Sequence, residues 1–271
     1  MGFLEEEIRR AECRRLRIAV WALVLVALVL LAIVALPLLF SYKAAGSVAV
    51  VRLEGTLETG DFSSADASGS EFVGGELRDA ADNPLVEAIV LRVDSPGGSP
   101  AAAQEIVADL EYAKARKPVV VSMGEMATSA AYMVSAHATR IYADPDTLTA
   151  GVGTIWTFTD ISQWLRNEGY NVTVVKSGAR KDMASPYRPI TDEERVYAQD
   201  IVNASFERFI ADVVRARNVS RGAIEDGRIV RGEDAVKLGL VDRLGNIHDA
   251  TDDARALAAA GVSSSAPDLP S

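Results

Sequence analysis

The sequence predicts an α/β domain built on parallel βαβ units, preceded by one N-terminal transmembrane helix. Three observations predict it. Short apolar runs such as Ala88–Val93 and Val119–Met123 alternate with stretches of helical periodicity. An uncharged apolar stretch from Ile18 to Phe40 precedes them all. With 271 residues, 49% of them hydrophobic, the chain can bury a full core in a single α/β domain.

The elements follow in order. Residues 1–17 form a short N-terminal segment carrying Arg9, Arg10, Arg14, Arg15 and Arg17. Residues 18–41 read as an uncleaved signal anchor, because a hydrocarbon core needs about 20 apolar residues. A signal peptide has a shorter apolar core and a small-residue cleavage site, and Leu38–Lys43 offers none. The arginines before the span, against Lys43 alone just after it, place the N-terminus in the cytoplasm and the remainder outside. A buried core helix is the competing reading of the same run.

Residues 42–260 make up the extracytoplasmic domain. Ser47–Leu53 reads as a strand, Thr56–Ser70 as an exposed loop and Glu71–Asp82 as a helix stopped by Asn83-Pro84. The strand Ala88–Val93 runs into Asp94-Ser-Pro-Gly-Gly98, and Pro100–Ala115 is a helix with proline at its start. Val119–Met123 is the next strand; Gly124 then allows a turn, and small residues open a helix near Ser129. Arg140–Ala143 is a short strand, Thr147–Gly153 a glycine-punctuated turn, Asp160–Glu168 a helix and Asn171–Lys176 a strand. After the polar loop Ser177–Arg188, a long helix spans Thr191–Val219, with Thr191 and Glu194 forming a capping box. Gly232–Leu238 is a short helix, Leu240–Asp242 a brief strand and His248–Ala260 the last helix. Residues 261–271 are a Ser/Pro-containing tail, expected to be disordered.

Composition narrows the function classes. The net charge is −10, and lysine occurs at only six positions, Lys43, Lys114, Lys117, Lys176, Lys181 and Lys237. Such a surface argues against a nucleic-acid partner. One cysteine, Cys13, excludes an internal disulfide framework, and with two histidines there is little material for a metal centre; no cofactor is expected.

The chemistry gathers at two strand ends. A serine at a strand-to-helix junction lies near unpaired backbone N–H groups, which can hold an oxyanion while Ser129 attacks a carbonyl. A buried helix of small residues, with Ser129 bonded to its own backbone, is the other reading. Gly97 and Gly98 let the backbone approach a ligand, although such a turn is common on its own. In a parallel sheet both strand ends face one cleft. The N–H groups of Gly97 or Gly98 and of Ala130 would then line an oxyanion hole. His137 lies about two helical turns beyond Ser129 and points away from it, and His248 reads as a surface residue. Lys181 becomes a base if desolvation or a neighbouring cation lowers its pKa, with Arg180 assisting and Asp182 opposing. A solvated loop lysine is the alternative.

Four stretches taken together resemble signal peptide peptidase A in its short, one-domain form. They are Leu91–Gly98, Gly124–Tyr132, Lys176–Arg188 and Gly227–Asp242, and the likeness covers roughly Ser47 to Ala260. The resemblance implies a ClpP/crotonase-like fold and a serine-lysine dyad, with Ser129 as nucleophile, Lys181 as general base and Gly97 or Gly98 in the oxyanion hole. It implies peptide substrates such as signal-peptide remnants, a place on the cytoplasmic membrane, and a homo-oligomer in which neighbours complete the dyad. The chain departs from the family pattern in two ways. Ala130-Ala131 replaces Gly-Gly, and Gly151 stands where a lysine-orienting hydroxyl is usual; Thr149 and Ser185 are the substitutes at hand. A stomatin-operon type peptidase and a membrane scaffold with an inactive dyad are the competing readings.

Overall fold

The computed structural model describes residues 20–35 and 47–261. Residues 20–35 form a helix, α1, and belong to a unit separate from the domain that begins at Ser47. Among the described residues no helix is long and apolar enough to cross a membrane. The ends of the predicted span, Cys13 and the tail after Gly261 lie outside the described residues.

The domain is organised on a seven-stranded sheet with the order β1-β4-β5-β6-β9, all neighbours parallel. Here β1 is Ser47–Glu54, β4 Val86–Ser95, β5 Val119–Thr128, β6 Arg140–Ala143 and β9 Arg243–Leu244. Both faces are covered, which is why the central strands read as unbroken apolar runs. Ile89, Leu91 and Val93 of β4 and Val119, Val121 and Met123 of β5 point to the larger core. That core also takes in α2 (Ser70–Asp82), α3 (Pro100–Lys114), α4 (Ala130–Ala136) and α6 (Asp192–Arg217). Ala88, Val90 and Val120 point the other way, against Ala250, Ala254 and Leu257 of α8 (Ile247–Ala259). Each large aliphatic side chain buried in this way contributes roughly 1.5–3 kcal/mol.

The helix signals hold where they are local. Ser99 caps α3, its hydroxyl accepting from the Ala102 amide at 3.3 Å, with Pro100 next. Thr191 and Glu194 close their capping box at the start of α6.

Five expectations change. β5 does not turn at Gly124 but continues to Thr128, and the helix opens only at Ala130. Gly124 serves close approach instead, since a Cβ there would lie 2.7 Å from Asp94 Oδ2. The irregularity in the β4–β5 register falls here, and Asp94 Oδ1 accepts from the Met126 amide at 3.1 Å. Beyond it β5 exchanges partners, from β6 to β7 (Leu148–Ala150), which lies inside the supposed glycine turn. Residues 171–176 are not a strand; Val172, Val174 and Val175 are 48%, 44% and 94% exposed. Their alternation fits a strand locally, but no described strand runs alongside to supply a hydrogen-bond ladder. The brief strand after α7 (Gly232–Lys237) falls at Arg243–Leu244 rather than 240–242, since those two residues are the ones that pair with Tyr142 and Ala143 of β6. The loop Thr56–Ser70 contains a small parallel pair, β2 (Thr56–Glu58) and β3 (Ala67–Gly69), and β8 (Ile229–Arg231) pairs antiparallel with β7.

Candidate active site

β5 delivers Ser129 into a backbone conformation that a residue with a side chain rarely takes, φ 54° and ψ −125°. Such strain costs about 1–3 kcal/mol and persists only where the surroundings over-determine it. Here the Ser129 amide donates to the Ala150 carbonyl at 2.8 Å, and its carbonyl accepts from Met133 at 3.0 Å. Gly97 packs directly beneath, at φ 101°, where a Cβ would come within 2.8 Å of Ser129 Cβ. Tyr132, fully buried, ties the following helix to the Leu240 carbonyl through a 2.9 Å hydrogen bond.

The strained serine lines a cleft of about 720 Å³. Gly98, Ala130 and Met133 form one side of it, and Val202, Phe206 and Phe209 of α6 another. The two glycines have different parts. The Gly97 amide donates to Ser95 Oγ at 3.1 Å in a buried bond, so it is engaged. Gly98 lines the cleft, and its amide and that of Ala130 have no hydrogen-bond partner among the described residues. Gly98 is required in its own right, since a Cβ there would lie 2.3 Å from the Leu57 carbonyl oxygen. Gly151, at φ 65°, also lines the cleft.

Lys181 is not brought to Ser129 within one chain. It is exposed, it does not line the cleft, and no hydrogen bond joins the two side chains. Its loop is nevertheless held firmly. Arg188 donates to Asp182 at 2.7 and 3.0 Å and to Glu194 at 2.6 and 2.8 Å. Hydrogen bonds from Arg188 and then Lys176 hold the Asp182 carboxyl well below the usual range. Arg188, with the Thr191 amide, takes Glu194 down to about 2. The Arg180 guanidinium lies 5.0 Å from the Tyr197 ring centroid. Thus Asp182 is occupied by Arg188 and Lys176. Thr149 Oγ1 is buried and donates to the Ala127 carbonyl at 2.8 Å, and Ser185 Oγ accepts from the Tyr187 amide at 3.3 Å.

His137 is buried between two carboxylates, Glu111 and Asp212. His248 is exposed at the start of α8. Among the described residues no three His, Cys, Asp or Glu side chains are grouped to hold a metal ion. Sequence reasoning missed the cleft wall on α6, because a helix face shows apolar spacing whether it meets the core or a ligand.

Residues 111–261, more than half of the chain, match Peptidase family S49. The chain belongs to that family. It is 37% identical over 177 residues to the protein named "Putative protease MJ0651" of Methanocaldococcus jannaschii, covering 64% of this chain and 57% of that one. It is 36% identical over 217 residues to Protease 4 of Salmonella typhi, covering 79% of this chain and 35% of that protein. It is 34% identical over 183 residues to the protein named "Putative signal peptide peptidase SppA" of Enterococcus faecium, covering 65% and 53%. The matched part thus spans between about a third and somewhat over half of these relatives. The S49 match contains Ser129 and Lys181 but begins after the Gly97-Gly98 turn.

Proposed function

We propose that this S49 chain is a membrane-anchored serine peptidase that cleaves peptides released at the membrane, signal-peptide remnants among them. The observation that carries the chemistry is the strained Ser129 in the lining of a cleft that also carries two amides, of Gly98 and Ala130, without a partner among the described residues. Ser129 Oγ attacks the scissile carbonyl carbon and gives its proton to the neutral amine of Lys181. The amides of Gly98 and Ala130 take the developing oxyanion. The tetrahedral adduct expels the leaving amine, which receives the proton, and water then releases the acyl group. Met133, Val202, Phe206 and Phe209 suit apolar residues of a substrate.

Because Lys181 stands apart from Ser129 in one chain, a neighbouring copy supplies it in this scheme. The exposed Trp156, Trp164, Tyr170 and Val175, all in the segment leading to that loop, support a homo-oligomer. The apolar stretch 18–41 and the arginines before it support an anchor with the domain outside the cytoplasm. The mainly parallel sheet accords with the ClpP/crotonase-like architecture that the resemblance implies.

The decisive experiment digests a synthetic signal peptide with the wild-type chain, with Ser129→Ala and Lys181→Ala, and with mixed oligomers of the two. Each variant alone should be inactive, and the mixture should recover activity. Activity retained in Ser129→Ala removes the proposed nucleophile. No recovery in verified mixed oligomers places both residues on one chain. A wild-type chain that neither cleaves peptide nor reacts with a fluorophosphonate would leave the scaffold reading standing.

A further inference from the structure

α4 begins at the strained serine and ends at His137, its C-cap residue. The His137 ring is buried, its side chain 10% exposed, and each ring nitrogen meets a carboxylate. Nδ1 lies 2.8 Å from Glu111 Oε1 on α3, and Nε2 lies 2.8 Å from Asp212 Oδ2 on α6. A neutral imidazole has one N–H and one lone pair. With both carboxyls ionised, both contacts can be hydrogen bonds only when the ring carries two protons; after losing one, a lone pair would face a carboxylate oxygen.

The surrounding charges are ordered around this arrangement. Lys114 of α3 donates to Glu111 Oε1 and to the His137 carbonyl, both at 2.7 Å. Arg215 of α6 hydrogen-bonds Asp212, and Arg208 lies on the same surface groove as Asp212. Burial alone would lower the His137 pKa, but hydrogen bonds to Asp212 and Glu111 outweigh it, and the net shift is upward.

The position of this cluster gives it a consequence for the cleft. Asp212 follows Phe209 by three residues on α6, and Phe209 lines the same cleft as Ser129. Met133, in the middle of α4, lines it too. The Asp212 contact of His137 therefore joins the helix that follows the serine to α6, which lines the same cleft, and the Glu111 contact joins it to α3.

We propose that His137, doubly protonated, is a positioning residue that clamps α4 against α3 and α6 and so holds the Ser129 cleft at its working width. The proposal rests on the peptidase reading of Ser129. His137 neither touches the substrate nor moves a proton in the reaction. When pH rises far enough to remove one ring proton, one tether fails and the serine reacts more slowly. The pH profile thus gains a descending alkaline limb that a lysine base alone does not produce.

The test measures two things in the full-length chain. Fluorophosphonate labelling of Ser129 is followed against pH, and the imidazole titration is followed by NMR. The chain has only two histidines, so His248→Gln assigns the His137 signal. The labelling rate should fall on the alkaline side with the midpoint at which His137 titrates. Asp212→Asn keeps the side-chain shape but removes one charge, so both midpoints should move to lower pH together. Glu111→Gln should do the same. In His137→Gln the descending limb should vanish, with the labelling rate lowered severalfold at the wild-type optimum. Labelling with no alkaline limb, or a limb that stays in place while Asp212→Asn moves the titration, overturns the clamp alone. No labelling of Ser129 at any pH overturns the peptidase reading, and the clamp with it.

Discussion

Replacing Gly97 with alanine tests the seat of Ser129 directly. At φ 101° the residue stands in the left-handed half of backbone space, where a side chain adds about 1–3 kcal/mol of strain. The new Cβ would lie 2.8 Å from Ser129 Cβ, 2.8 Å from the Thr128 carbonyl oxygen and 2.9 Å from the Ala130 nitrogen. All three neighbours belong to the elbow itself, and two are backbone atoms, so the serine must move. Overpacking of this kind costs about 1–3 kcal/mol. Restricting the unfolded chain returns about 0.4–1 kcal/mol. The net loss is then about 1–5.6 kcal/mol. At roughly 2–4 °C per kcal/mol for a domain of this size, the melting midpoint should fall by about 2–22 °C. Differential scanning calorimetry and the rate of fluorophosphonate labelling should both register the change, the labelling at a temperature where the variant is still folded. Gly75→Ala is the matched control, in mid-α2, where a Cβ would meet nothing within 4 Å. It should stabilise by about 0.5–1 kcal/mol and leave labelling unchanged. A Gly97→Ala chain with wild-type midpoint and labelling rate would show that this glycine does not support the elbow.

Other substitutions probe neighbouring features. Ser129→Gly relieves the positive φ and should melt no lower than Ser129→Ala while both fail to label; a clearly lower midpoint would contradict the strain at this position. Tyr132→Phe leaves the buried Leu240 carbonyl without its 2.9 Å hydrogen bond and should cost about 1–3 kcal/mol by denaturant titration. Arg188→Gln removes the bridge between Asp182 and Glu194, so limited proteolysis should cut the 176–188 loop faster than in wild type. Stability should also depend on pH through the His137 cluster. The raised His137 contributes fully below its ordinary 6.5 and loses that contribution as pH climbs through its higher folded value. The lowered Glu111 and Asp212 contribute above their ordinary 4.5 and 3.8 and lose it as pH falls through their lower folded values. The cluster's contribution is thus greatest between about 4.5 and 6.5, and His137→Gln should flatten the alkaline decline of the melting midpoint.

The parallel α/β plan was legible because its signals are local. Both faces of β4 and β5 are covered, so Ala88–Val93 and Val119–Met123 show as continuous apolar runs. Caps at Ser99 and at Thr191 with Glu194 involve residues three apart, and adjacent sequence suffices to show them. Residues 171–176 misled for the converse reason. Alternation states what a strand requires of its side chains, whereas a strand exists only beside a partner, and none of the described strands reaches it.

At the site, the residue types and their order determined the candidates, Ser129 after an apolar strand, two glycines after another, and Lys181 in a polar loop. Only the tertiary structure decided how they are used. It placed the elbow at Ser129 and not at Gly124, because the fold brings Asp94 against Gly124 and Ala150 against the Ser129 amide. It divided the glycines, since the Ser95 hydroxyl takes the Gly97 amide and that of Gly98 has no partner among the described residues. It set His137 between Glu111 and Asp212, residues 26 and 75 positions away. Strand and cap preferences act over a few bonds and are written along the chain. A backbone strained at one serine, a committed amide and a doubly paired histidine depend on which distant segments meet, and that is fixed only when the core closes.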